Sequence, residues 1–245
     1  VNYFLTGENA DKLKYLGGYD DGGLFYSDIP VSLIINSEEN CMPCLADYDD
    51  DDRYNFLNQP FTLLNFSNQR DTIYLDYGSV ELKYALHDAN GRTIINKTVS
   101  FSADKYINEH FYEINYDILE SSNNLELLWY GGLRPTEEKE DEDVTYGYGI
   151  ISQAGEIEDV QSTGPDKIIT REVYKGQTDW VAIRTKYFMS AIITENLGKY
   201  ATLSGYNAEF GHRKHTPLYN VSIGYPLDVS TVSSSIYLGP LDVDF

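Results

Sequence analysis

Several short stretches of the chain hold residues that could do chemistry. The cysteines Cys41 and Cys44 form "CMPC". A dithiol redox centre has that spacing, but it needs a strand-to-helix turn inside a βαβ unit, and no such pattern surrounds it. A zinc site needs two further ligands, and the four His residues lie far off in sequence. The pair reads first as a loop pair, free or disulfide-linked. In "ADYDDDDR", Ala46 to Arg53, the carboxylates of Asp47, Asp49 and Asp51 alternate as at the start of a calcium loop. Asp52 stands where that loop requires Gly, and Asn58 where it requires Glu, so a solvated acidic loop is the better reading. "TEEKEDED", Thr136 to Asp143, reads the same way. "HRKH", His212 to His215, sets Arg213 and Lys214 beside two imidazoles, which disfavours a dication and suggests an exposed loop. No GxSxG, P-loop, HExxH or dinucleotide fingerprint is present. The expectation is therefore no catalytic residue, no cofactor and no metal.

The elements that position these residues are strands. The hairpin "VELKYALHDANGRTIINKTVSF" alternates Leu82, Tyr84 and Leu86 with polar residues, turns at Asn90-Gly91, and resumes with Ile95, Val99 and Phe101 on the face of Lys97. Asn-Gly is the preferred two-residue hairpin turn because both positions need positive φ. "YINEHFYEINYDIL" continues as a third strand, with Ile107 and Phe111 on its apolar side. Further strands are expected at 31–35, 61–66, 125–129, 183–193, 201–203, 218–223 and 235–238, separated by Gly, Pro, Asn and Asp. No stretch sustains helical periodicity. The fold expected is all-β, a large antiparallel sandwich, with residues 1–245 as one domain.

Composition agrees. The 22 Tyr residues favour half-buried sheet surface. A net charge of -21 repels nucleic acid and anionic headgroups and excludes phosphate-backbone binding. No run reaches the roughly 18–20 apolar residues of a membrane helix, and "VNYFLTGENADK" lacks a secretion-signal pattern. A soluble domain excised from a longer protein fits these features.

The longest apolar run, "TDWVAIRTKYFMSAII" (Thr178 to Ile193), is interrupted by Asp179, Arg184 and Lys186. Its second half reads as a buried strand. Its first half reads as a short helical turn or edge, with Trp180 anchored in the core. This stretch, with Trp180, Tyr187 and Phe188, resembles the end of the large periplasmic domain of YidC-type membrane protein insertases. The closing "YLGPLDVDF", with Gly239, Pro240, Leu241 and Asp242, is similar to that family's closing segment, although Val243 replaces its final tyrosine. "KLKYLGGYDD", "IPVSLI", "QPFTLLN", the hairpin and "WYGGLRPTEE" match in the same order. The resemblance runs from about Lys12 to Phe245.

The resemblance implies a β-supersandwich of mutarotase-like architecture, with one or two short helices near its C-terminal end. It implies a place on the periplasmic side of the bacterial inner membrane. The parent protein inserts and folds membrane proteins, alone or with the Sec translocon. The partners implied are its own membrane domain, Sec components and nascent membrane proteins, with this domain a non-catalytic interaction or chaperone-like module. The alternative is a carbohydrate-binding or epimerase-like sandwich, in which His87 or His110 would face a carboxylate across a pocket. Tyr-lined sheet could also hold extended peptide, although inter-strand packing is the simpler use of the tyrosines.

Overall fold

A computed structural model describes residues 16–20, 22–35, 41–48, 54–55, 60–66, 73–103, 105–115, 117, 124–161, 168–226 and 228–241. The strands, in chain order, are β1 (Leu16–Tyr19), β2 (Phe25–Pro30), β3 (Cys41–Tyr48), β4 (Tyr54–Asn55), β5 (Thr62–Leu63), β6 (Ser79–His87), β7 (Thr93–Ser102), β8 (Ile107–Ile114) and β9 (Asn124–Tyr130). A helix, α1 (Glu140–Tyr146), precedes β10 (Tyr148–Gln153), β11 (Glu156–Val160), β12 (Ile169–Arg184), β13 (Phe188–Phe210), β14 (Arg213–Tyr225) and β15 (Thr231–Pro240).

β1 and β2 form a ribbon of their own, and the other strands join one antiparallel network. β13 organises it. Through Phe188–Thr194 it pairs with β15, and through Tyr200–Phe210 with β14, while β12 accompanies it along both halves. Two wings result, one continuing β15-β8-β7-β6-β5 and the other β14-β9-β3-β4. Gly198 sits at the crossover. A Cβ there would lie 2.3 Å from Ile223 Cγ2, so only glycine lets β14 pass this close. Both wings bury their inner rows in one core, with Val181, Ile183, Ile192 and Ile236 from the first and Leu127, Trp129, Leu203 and Val221 from the second. The all-β antiparallel architecture expected from the sequence is the one found.

Details depart from expectation. Thr178–Arg184 is strand throughout, not a helical turn. Val181 and Ile183 take the inward positions, which turns half-buried Trp180 to the outer face, opposite Ile193 and Ser152. The core indole is Trp129 instead, 1% exposed, with Nε1–H donating to the Gly132 carbonyl at 2.8 Å. The helix described lies at Glu140–Tyr146, well before the C-terminal end.

The hairpin forms, but its turn is longer than Asn-Gly alone. The Gly91 N–H bonds to Asp88 O at 3.0 Å, the Asp88 N–H bonds to Arg92 O at 2.9 Å, and Gly91 takes φ 80°. Asn90 keeps negative φ. This is a type I turn closed by a left-handed glycine. It wins because the Asp88 carboxylate accepts from the Asn90 and Arg92 N–H groups and from Arg92 Nε.

β8 is reversed relative to the expected faces. Asn108, His110, Tyr112 and Ile114 point inward, while Ile107 and Phe111 are 37% and 40% exposed. The register with β15 decides this, because the inward row of β15 is Val232, Ser234, Ile236 and Leu238. The two polar residues are accommodated by pairing, Asn108 donating to Ile236 O at 3.2 Å and contacting His110 Nε2 at 2.6 Å through Oδ1.

Candidate functional site

Two stretches distant in sequence meet at one end of the first wing. The β12–β13 turn is closed by the Thr185 N–H bonding to Phe188 O at 2.8 Å. Phe188 then pairs with Pro240 in β15, and the Leu241 N–H reaches back to Tyr187 O at 2.6 Å. Tyr187, Phe188, Pro240 and Leu241 thereby line a groove of about 540 Å³, shared with Leu16, Phe25 and Val31 and with the loop residues Thr136, Glu137 and Glu138. Of the motif positions singled out in the sequence, these four are brought together. Gly239 lies beside them in β15, where a Cβ would lie 2.8 Å from the Tyr106 ring. Trp180 is elsewhere, on the outer face, and Asp242 lies outside the described residues.

The far wall of the groove is held by buried arginines. Arg134 donates to Ile34 O at 3.0 Å and Tyr19 O at 2.9 Å, tying the 133–138 segment to the β1 ribbon. Arg213 pairs with Asp143 at 2.6 Å, both side chains at most 5% exposed, and donates to Glu137 O at 2.6 Å. "HRKH" is thus not an exposed loop: Gly211 and His212 make the turn, and Arg213 opens β14 facing inward. "TEEKEDED" is not wholly solvated either, since its second half is α1 and Asp143 is buried. Sequence reasoning missed this pair. The available signal was Gly211-His212 as a hairpin turn, which puts the next residue on a strand.

Charge at the rim is concentrated. Lys186 bonds to Glu142 at 2.7 Å, lies 3.9 Å from Glu137, and sits 4.7 Å from the Tyr187 ring centre. Glu142 holds the Lys186 ammonium above its ordinary range, and Lys186 in turn lowers Glu142. Burial raises Glu137, and its hydrogen bond with Glu142 adds to that. Burial also pushes the Asp143 carboxyl up to about 7, with Arg213 opposing.

The acid/base geometry required of a histidine is not what these positions offer. His87 is exposed and contacts Thr93. His110 is buried against Asn108 and stacked on Tyr112, and among the described residues no carboxylate bonds to either ring. Burial, with Lys97 nearby, holds His110 well below its ordinary range. The unfolded chain therefore gains a proton near pH 6.5 that the folded chain refuses, and stability falls as pH drops below that value. The His110 contribution to the slope is up to about 1.4 kcal/mol per pH unit; Asp143, raised by folding, contributes with the opposite sign in this range, so the effect is read as the difference in slope between the parent and His110→Gln. Urea melts of both proteins between pH 7 and 5 check this.

Cys44 is disulfide-bonded, which selects one of the two states left open for the pair. Asp49 to Asp52 lie outside the described residues, as does the side chain of Asp47. Among the described residues no group of His, Cys, Asp or Glu is arranged to hold a metal ion, and no helix is long and apolar enough to cross a membrane.

The strands define a large antiparallel β-domain, and four of its motif residues line one groove. A family model described as the YidC periplasmic domain matches residues 50–245, and the chain belongs to that family. Its relatives include the membrane protein insertases YidC of Chlorobium phaeovibrioides, 27% identical over 179 residues, covering 71% of this chain and 30% of the relative. The YidC of Chloroherpeton thalassium is 27% identical over 172 residues, covering 67% and 29%, and that of Chlorobium luteolum 30% identical over 160 residues, covering 62% and 26%. The chain thus spans about three tenths of the length of these relatives. A crystal structure of HI1317 aligns with a TM-score of 0.44 at 10% identity, covering 73% of this chain and 64% of that one.

Proposed function

We propose that the chain is the accessory periplasmic domain of a YidC-type insertase, acting as one unit on the outer side of the inner membrane. It makes and breaks no bonds. Its task is to contact other chains: the membrane domain of its own protein, Sec translocon components, or the membrane proteins being inserted. The observation that carries this reading is the convergence of Tyr187, Phe188, Pro240 and Leu241 on one groove. The start of β13 and the end of β15 are held there by backbone bonds, and Leu16 and Tyr187 remain 51% and 47% exposed at its edge. Half-exposed apolar groups around a concavity suit a protein contact.

The test is site-specific photo-crosslinking in the full-length insertase in cells. A photoreactive residue at Leu16 or Tyr187 should capture a discrete partner. The same residue at Tyr77, 87% exposed and not among the groove's lining, should not. Equal capture from all three positions, or none from the groove, would refute the reading.

A further inference from the structure

We infer that the groove receives an extended polypeptide segment from a resident partner, one carrying a basic residue flanked by apolar ones. This rests on the contact role proposed above and names the chemistry of the occupant. Leu16, Phe25, Val31, Phe188 and Leu241 supply apolar walls, and about 540 Å³ of space is more than one side chain fills.

The rim carries net negative charge. From Glu137 to Asp143 the wall carries Glu137, Glu138, Glu140, Asp141, Glu142 and Asp143 against Lys139, and Arg213 and Lys186 are the cations seen bonded to it. Six carboxylates less four cations, with Arg134 of the same wall counted, leaves two negative charges beside the groove. Both bonded cations are already engaged, Arg213 with Asp143 and Lys186 with Glu142. Glu138 is exposed at the lining, and Glu137 has its nearest cation at 3.9 Å. The chain as a whole, at -21, adds long-range attraction for a cationic segment and repulsion for an acidic one.

Two features narrow the occupant further. The polar lining consists of hydroxyl and carboxylate groups (Ser27, Thr136, Glu137, Glu138), with no lysine or arginine to hold a phosphate or carboxylate ligand. On the proposed side of the membrane, newly inserted proteins expose segments poor in Lys and Arg. Large translocated domains escape that bias, so a basic segment is expected of such a domain of a resident partner rather than of a short loop of a protein being inserted.

Fluorescence anisotropy with the 245-residue chain tests this. The probe is a labelled, end-blocked pentapeptide of sequence Leu-Arg-Phe-Lys-Leu, and the comparison peptides carry Gln or Glu at its two basic positions. The basic peptide should bind at low salt, and the Glu peptide should bind at least about 10-fold more weakly. Glu137→Gln with Glu138→Gln should weaken the basic peptide about 10-fold, as should Glu138→Gln alone to a lesser degree. Glu156→Gln with Glu158→Gln, on exposed β11, should change nothing, which separates the groove from general attraction to an acidic protein. Equal binding of all three peptides, equal loss from the β11 pair, or no binding at millimolar peptide would each overturn the inference. Failure here with specific crosslinking from Tyr187 would leave the contact role standing and refute the basic occupant alone.

Discussion

Arg213→Met is expected to destabilise the protein by about 3–5 kcal/mol, because it leaves the Asp143 carboxylate buried without its cation. The side chains are 4% and 5% exposed and 2.6 Å apart, so neither can turn to water. The same substitution removes the guanidinium bonds to Glu137 O and Tyr19 Oη, which brace the groove wall. At this chain length the melting temperature should fall by roughly 10 °C. The loss should depend on pH. Burial already raises the Asp143 carboxyl to about 7 in the folded chain, from about 3.8 in the unfolded one. A group raised by folding has its stabilising contribution intact below the unfolded value and loses it as pH rises. Without Arg213 the folded value rises further, so the deficit relative to the parent should be larger at pH 8 than at pH 5. Replacing both partners, Asp143→Leu with Arg213→Met, should recover most of the stability, because no charge is then left buried. Thermal melts of the single and double variants at the two pH values measure all three effects. A single variant that melts within about 2 °C of the parent would show that the pair does not hold this wall.

Arg171→Leu is expected to cost a comparable amount, about 3 kcal/mol or more, through a different element. Glu126 in β9 has no exposed side-chain surface. Its carboxylate accepts from Arg171 at 2.6 Å, from Tyr200 Oη at 2.8 Å and from Ser222 Oγ at 2.5 Å. The Arg171 guanidinium lies 3.7 Å from the Tyr48 ring centre and so covers the pair. Removing the cation takes from the fully buried anion the guanidinium bonded to it at 2.6 Å, whereas Glu126→Gln keeps hydrogen-bonding capacity and loses only charge. Arg171→Leu should therefore be the worse of the two. The opposite order in chemical denaturation would show that shape at this site matters more than charge.

The resemblance was legible because it lies in linear motifs. "KYF" and "GPL" are each short, but the sheet requires both: the turn before β13 and the end of β15 must close on each other for Phe188 to pair with Pro240. Their joint role at one groove was not legible, since it depends on the β1 ribbon and the 133–138 segment arriving from elsewhere. The acidic stretch after Thr136 read as solvent-facing because charge runs usually are. Arg213, some seventy residues later, is what makes burial of Asp143 tolerable.

Alternation and turn residues by themselves determined that the chain is all-β and antiparallel, because the two-residue period and the glycine and asparagine breaks are local properties. They also located the β6–β7 hairpin. Which face of a strand is buried was a tertiary decision. β8 offered Ile107 and Phe111 on one side and Tyr112 and Ile114 on the other. Its register with β15 put Asn108 and His110 inside, where each finds a partner. The same holds for Trp180 and Trp129, equal as apolar residues in the sequence. A side chain's destination depends on which neighbours its strand acquires, and those neighbours come from distant parts of the chain.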